Sequence, residues 1–201
     1  MNIPSPYIVL ASRSPRRREL LAEAGYRFEV IAPSESAECG VCSAESPPQL
    51  VARLALQKAA DVVQQLHRDP GTSLPNDPVV LGCDTVAECD GQVLGKPVDE
   101  DHARRMLQTL SGRWHRVFSG LCLWRLHAGE PLVRVAVTTL RMDSLTPQQL
   151  DEYLASGQWE GKAGAFGYQD RLGWVHVVEG SESNVVGLPL ELLAEMLREV
   201  P

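Results

Sequence analysis

The spacing of apolar and polar positions changes several times along the chain, and each change marks an element. Tyr7 to Ala11 is an unbroken apolar run between polar flanks, as expected of a strand buried on both faces. Ser14 follows as a helix cap, with Pro15 at the first helical position, where its missing N–H costs nothing, and Gly25 at the end. Arg27 to Ala32 predicts a second strand. Between Gln49 and Leu66, the residues Val51, Leu54, Ala55, Ala59, Val62 and Val63 recur at helical spacing, and Lys58 falls beside that stripe. Val79 to Gly82 predicts a third strand, and "VAECDGQVLGK" a hairpin turning at Asp90-Gly91. Asp99 caps a helix that runs to Gly112. Arg113 to Leu126 and Pro131 to Met142 predict two long paired strands joined at His127 to Glu130. Thr146 to Gln149 has the capping-box pattern and opens a helix ending near Gly157. A strand at Trp174 to Val178 and a helix at Leu188 to Glu199 close the chain. This alternation is too irregular for a doubly wound parallel sheet, so the pattern predicts an α/β fold with a mixed, twisted sheet and flanking helices in one domain, residues 1–201.

Composition narrows what such a fold is for. The chain has 201 residues, 44% of them apolar, enough for a sizeable core, and no run approaches the roughly 18 to 20 apolar residues of a membrane span. The opening "MNIPSP" lacks the basic and apolar regions of a secretory signal, and the five cysteines are an odd number in a chain too large to need stapling. The expectation is a cytoplasmic protein with reduced thiols. Lys and Arg number 19 against 26 Asp and Glu, a net charge of −7, so the general field repels polyanions and a basic patch must be local. The "SPRRR" run is such a patch. Arg16 and Arg17 stand in the first turn of their helix, where the dipole penalises a cation by about 0.3–1 kcal/mol and where a bound anion reverses the balance. These features favour a compact phosphorylated ligand and argue against stable nucleic-acid binding.

Asp84, in "GCDTVAE", follows a strand and points a carboxylate into the crevice at its C-terminal end. Lys96, Arg113 and Lys162 each adjoin glycine or proline, where the backbone turns sharply and brings side chains from distant loops together. Other motifs exclude chemistry. Cys39-Gly-Val-Cys42 has redox spacing but lacks the following helix that activates a thiol. His102, His115 and His176 have no metal-ligand spacing, and neither the dinucleotide nor the Walker A glycine signature occurs.

The stretches "ASRSPRRRELL", "LALQKA", "GCDTVAECDGQVLGKP", "LSGRWHRVFSGL", "KAGAFGYQ" and "NVVGLPL" occur in an order that resembles the Maf family of nucleoside triphosphate pyrophosphatases, from Leu10 to Leu190. That resemblance implies two lobes around a central cleft, like the ITPase fold, often in a dimer. It implies hydrolysis of a nucleoside triphosphate to monophosphate and pyrophosphate, with a divalent metal, Mg2+ or Mn2+. It places the catalytic set on Asp84, Lys58 and Lys96, and substrate contacts on Ser14, Arg16, Arg17, Thr85, Lys162 and Gln169. Arg16, Thr85 and Gln169 match the branch resembling dTTP/UTP pyrophosphatases and differ from the branch preferring 7-methyl-GTP. The family places adjacent acidic residues after the second strand, whereas "PSESAE" separates Glu35 from Glu38. Either glutamate is a candidate metal ligand with Asp84, and Asp84 itself is open to two roles, base or ligand. A nucleotide-binding regulator without turnover is the competing reading.

Overall fold

Among the described residues, seven strands form one mixed sheet in the order β2-β1-β3-β5-β6-β7, with β4 pairing off that path with β3. They are β1 (Ile8–Ala11), β2 (Phe28–Val30), β3 (Val79–Cys89), β4 (Gln92–Leu94), β5 (Trp114–Arg125), β6 (Leu132–Met142) and β7 (Val175–Glu179). The computed structural model describes residues 6–38, 45–69, 74–75, 77–127, 129–170 and 172–200. β1 runs parallel to β2 and β3, and every other pairing is antiparallel. The expected mixed α/β architecture is what forms. Asp90 and Gly91 turn the β3–β4 hairpin with φ of 51° and 82°, the paired positive values that a two-residue turn between right-twisted strands demands.

The third strand differs from its expected length. It continues past Gly82 to Cys89, so Asp84 lies inside β3. Gly82 reads as a strand end in the sequence, but it is needed for space: a Cβ there would overlap the Ala55 carbonyl oxygen, and one at Gly120 would overlap that of Val51. Both carbonyls belong to α2 (Pro47–Arg68), which these two glycines allow to lie directly on the sheet. Val80 and Val86, two residues before Gly82 and two after Asp84, pack against α2 residues Ala55, Ala59, Val62, Leu50 and Leu54. The period-two alternation therefore turns Asp84 towards α2 as well. Pairing with β1 ends at Ala11 opposite Gly82, so Asp84 stands just beyond the end of a shorter neighbour.

The remaining helices are α1 (Pro15–Glu23), α3 (Glu100–Leu110), α4 (Pro147–Ala155), α5 (Glu182–Val186) and α6 (Leu190–Glu199). α5 escapes the apolar pattern because it is a single short turn in "ESNVV" ended by Gly187 at φ 124°. Pro189 then delays the last helix to Leu190, two residues later than expected. One core joins β1, the first half of β3, α1 and α6 through Ile8, Leu10, Leu21, Leu81 and Leu193. A second joins the far half of β3 to α3, β6 and α4 through Ala87, Leu107, Leu110, Leu140 and Leu154. Each fully buried leucine or isoleucine contributes about 1.5–3 kcal/mol. Ser14 takes the N-cap backbone position of α1 without a side-chain capping bond; its N–H donates to Ser12 Oγ instead, at 3.1 Å. No helix among the described residues is long and apolar enough to cross a membrane.

Candidate active site

A cavity of about 320 Å3 is lined by the start of α1, by α2, by the middle of β3, and by the segments around Lys96, Gly161–Gln169 and α5. Among the described residues, six cations line it, Arg13, Arg16, Arg17, Lys58, Lys96 and Lys162, against one lining carboxylate, that of Asp84. In a chain of net charge −7 that concentration is local. Among the described residues, the buried cations are Arg17, Lys58 and Lys162, and all three line this one cavity. Burying cations is expensive unless each has fixed partners, and here each does.

Lys58 Nζ donates to Asp84 Oδ1 at 2.6 Å, with both side chains nearly out of solvent. The bond follows from the geometry of the two elements. Lys58 is one helical turn beyond Leu54 and Ala55 on the face of α2 that meets the sheet, and Asp84 points towards that face. Arg17 donates four hydrogen bonds to the protein. Its Nε donates to Gly187 O at 2.8 Å, Nη1 to Cys83 O at 2.8 Å and Ser12 Oγ at 3.2 Å, and Nη2 to Thr85 Oγ1 at 3.1 Å. That guanidinium ties α1 to β3 and to the end of α5. Thr85 is likewise held, by Ser119 Oγ at 2.8 Å and Gly187 O at 3.3 Å. Arg16 extends in another direction, donating through Nη2 to Gly161 O at 2.9 Å. Partial burial first, and then the neighbouring Arg17, hold its pKa below the usual arginine value. Lys96 is exposed at the rim, and its loop is fixed by the Gly164 N–H donating to Gly95 O at 3.0 Å. Ser14 and Gln169 line the cavity, and Gln169 also lines a neighbouring hollow with Phe166 and Tyr168.

Other expected residues stand elsewhere. Glu35 sits on a 3-10 turn, Glu35–Glu38, with its side chain 93% exposed and 4.0 Å from Arg13, outside the cavity lining. The side chain of Glu38 and the Cys39–Cys42 pair lie outside the described residues. Arg113 pairs with Asp90 on the surface and does not reach the cavity. His102, His115 and His176 are dispersed, and Cys83, Cys89 and Cys122 are buried free thiols. Burial raises the pKa of all three, that of Cys122 to about 12, which keeps them protonated and inert. Sequence reading missed Ser12, Arg13, the α5 residues Val185 and Val186 with the following Gly187, and Asp170 as the partner of Lys162. Ser12 and Arg13 adjoin the recognised arginines and were within reach of the same motif; Asp170 and α5 reach their places only through the folding of distant segments.

No group of three or more His, Cys, Asp or Glu able to cage a metal occurs among the described residues. A divalent cation of the Mg2+ type does not need such a cage, since it binds through one or two carboxylates together with substrate phosphates. Asp84 offers a hard oxygen donor inside a cavity otherwise suited to phosphate, so the donor set fits that mode.

A mixed α/β sheet with a cationic cleft around one carboxylate defines a protein built to hold a small polyanion. A HAM1 protein from Coxiella burnetii has the same fold, with a TM-score of 0.51 at 18% identity, covering 97% of this chain and 100% of that one. Residues 7–200 match the Maf-like protein family, and the chain belongs to it. It is 54% identical to a dTTP/UTP pyrophosphatase of Rhodopirellula baltica, over 96% of this chain and 82% of that protein. It is 41% identical to another of the same name from Shewanella denitrificans, over 95% of this chain and 96% of that protein.

Proposed function

We propose that this protein hydrolyses dTTP and UTP to the nucleoside monophosphate and pyrophosphate. The observation that carries the proposal is the convergence of the three buried cations and of Arg16 and Lys96 on the cavity that holds Asp84. The names borne by its relatives support the choice of substrate.

A triphosphate carries about four negative charges near neutral pH, and they repel a nucleophile from phosphorus until cations screen them. Arg16, Lys58 and Lys96 do that screening, with Lys162 a further cation at the wall and Ser14 with the first N–H groups of α1 as neutral donors. Arg17, with four of its donors held by the protein, fixes the shape of the cradle. Water attacks the α-phosphorus, the bond from that phosphorus to the oxygen bridging towards the β-phosphorus breaks, and pyrophosphate leaves with the electron pair. The Asp84 carboxylate, oriented by Lys58, aligns the water and accepts its proton. Asp84 would also hold Mg2+ or Mn2+, with Glu35, exposed outside the lining beside Arg13, a candidate further ligand, and the ion when bound screens phosphate charge and acidifies water. Gln169 presents one acceptor and two donors, the complement of the carbonyl and N3–H of a thymine or uracil edge.

The test is pyrophosphate release from dTTP, UTP, dATP, dGTP and 7-methyl-GTP with Mg2+ or Mn2+. Equal yields of monophosphate and pyrophosphate, greatest for dTTP and UTP, are expected. Binding without turnover, or preference for 7-methyl-GTP, refutes the proposal.

A further inference from the structure

Lys162 of the cavity wall forms a second buried ion pair, with Asp170, a carboxylate outside the lining that has no part in the chemistry above. Lys162 Nζ lies 2.6 Å from Asp170 Oδ1 and 2.5 Å from Oδ2, and each side chain is only 10% exposed. Tyr153, on α4, donates its hydroxyl to Asp170 Oδ2 at 2.9 Å and accepts the Gly167 N–H at 3.4 Å. Burial foremost, and then the Asp170 charge, raise the pKa of Tyr153, so it remains a phenol and a donor. The backbone accommodates this cluster closely. A Cβ at Gly167 would overlap Lys162 Nζ and come within 2.8 Å of Asp170 Oδ2, which accounts for glycine at that position.

A buried pair of this kind contributes little net stability, because desolvation consumes most of the attraction. What it supplies is position. Asp170 ends the 3-10 turn Tyr168–Asp170, and its N–H donates to Gly167 O at 3.1 Å, so gripping Asp170 orients the adjacent Gln169. The ring of Tyr153 also stacks at 5.6 Å between centroids against Phe166, which shares the cavity wall with Gln169. An amide discriminates between base edges only if it is held in one orientation; one that rotates freely can meet a guanine as readily as a thymine.

We infer that Asp170 is a positioning residue that sets the base preference of this site, by holding Lys162 and Tyr153 together and so fixing the turn that carries Gln169. The inference deepens the pyrophosphatase reading and rests on it. The experiment compares kcat/KM for dTTP and dGTP in wild type, Asp170→Asn, Tyr153→Phe and Lys162→Met/Asp170→Asn, with thermal unfolding of each. Asp170→Asn should reduce the preference for dTTP by about tenfold, mostly through loss with dTTP. Tyr153→Phe keeps the ring and removes only the hydroxyl, and it should shift the preference in the same direction by less. The double variant should lose no more preference than Asp170→Asn alone, as expected of groups acting as a unit. Should Asp170→Asn fail to fold, Tyr153→Phe decides. Equal proportional losses with both bases, from an active wild type, overturn this inference alone. A wild type that hydrolyses no triphosphate overturns it together with the function proposed.

Discussion

Replacing Asp84 with asparagine keeps the shape of the side chain and leaves Lys58 an acceptor, but removes a buried charge that faces Lys58. The pair is short and its side chains are 9% and 14% exposed, so the loss approaches that of breaking a buried ion pair, about 3 kcal/mol at the low end of the usual range. In a domain of this size, that lowers Tm by about 6–12 °C. The same change makes the cavity more attractive to anions: two unit charges roughly 5 Å apart at an effective dielectric of about 20 interact by about 3 kcal/mol before screening. Inorganic tripolyphosphate, measured with EDTA present so that metal plays no part, should therefore bind Asp84→Asn about tenfold more tightly than wild type. By mass action it should also raise the Tm of the variant by more than that of wild type. Turnover of dTTP should fall by about a thousandfold, since the group that aligns and deprotonates water is gone. Calorimetry, thermal unfolding and a pyrophosphate-release assay read the three effects separately. An Asp84→Asn protein with wild-type Tm, equal anion stabilisation and a rate within a few-fold of wild type would refute the reasoning.

Arg16→Ala and Lys96→Ala should each lower kcat/KM for dTTP by about 10- to 1,000-fold, measured by steady-state kinetics, because each removes a charge-assisted contact at the phosphates. Gln169→Glu, which replaces two donors with an acceptor-only group, should reduce kcat/KM for dTTP more than for dGTP in the same assay. Gly120→Ala drives a methyl group into the Val51 carbonyl and should cost about 1–3 kcal/mol or prevent folding, as read by urea unfolding. Burial holds the pKa of His115 below its ordinary value of about 6.5. As pH falls, the unfolded chain therefore binds the extra proton first, so stability should be level above about pH 6.5 and decline below it; His115→Leu should remove that part of the decline in unfolding measured from pH 7.5 to 5.

Elements whose signal is local were legible in the sequence. α2 follows from its apolar period, the β3–β4 turn from Asp90-Gly91, and α4 from the pattern Thr146 to Gln149, because each depends on neighbours within a few residues. The cation-rich motifs and their match to a known family named most of the cavity lining before any coordinate. The roles of those residues depended on tertiary structure. Arg16 and Arg17 are adjacent in the chain and point about 100° apart on a helix, so one reaches Gly161 across the cleft while the other is consumed by Cys83, Thr85 and Gly187. Nothing in "SPRRR" says which, since apart from Ser12 the acceptors lie 66 or more residues away. Gly82 reads as a strand end in isolation and is instead the space into which α2 fits. That close approach turns Lys58, a charge beside an apolar stripe, into the partner of Asp84. Local propensity determines where helices and strands form; which polar groups are buried together is settled only when segments distant in sequence exclude water from the same space.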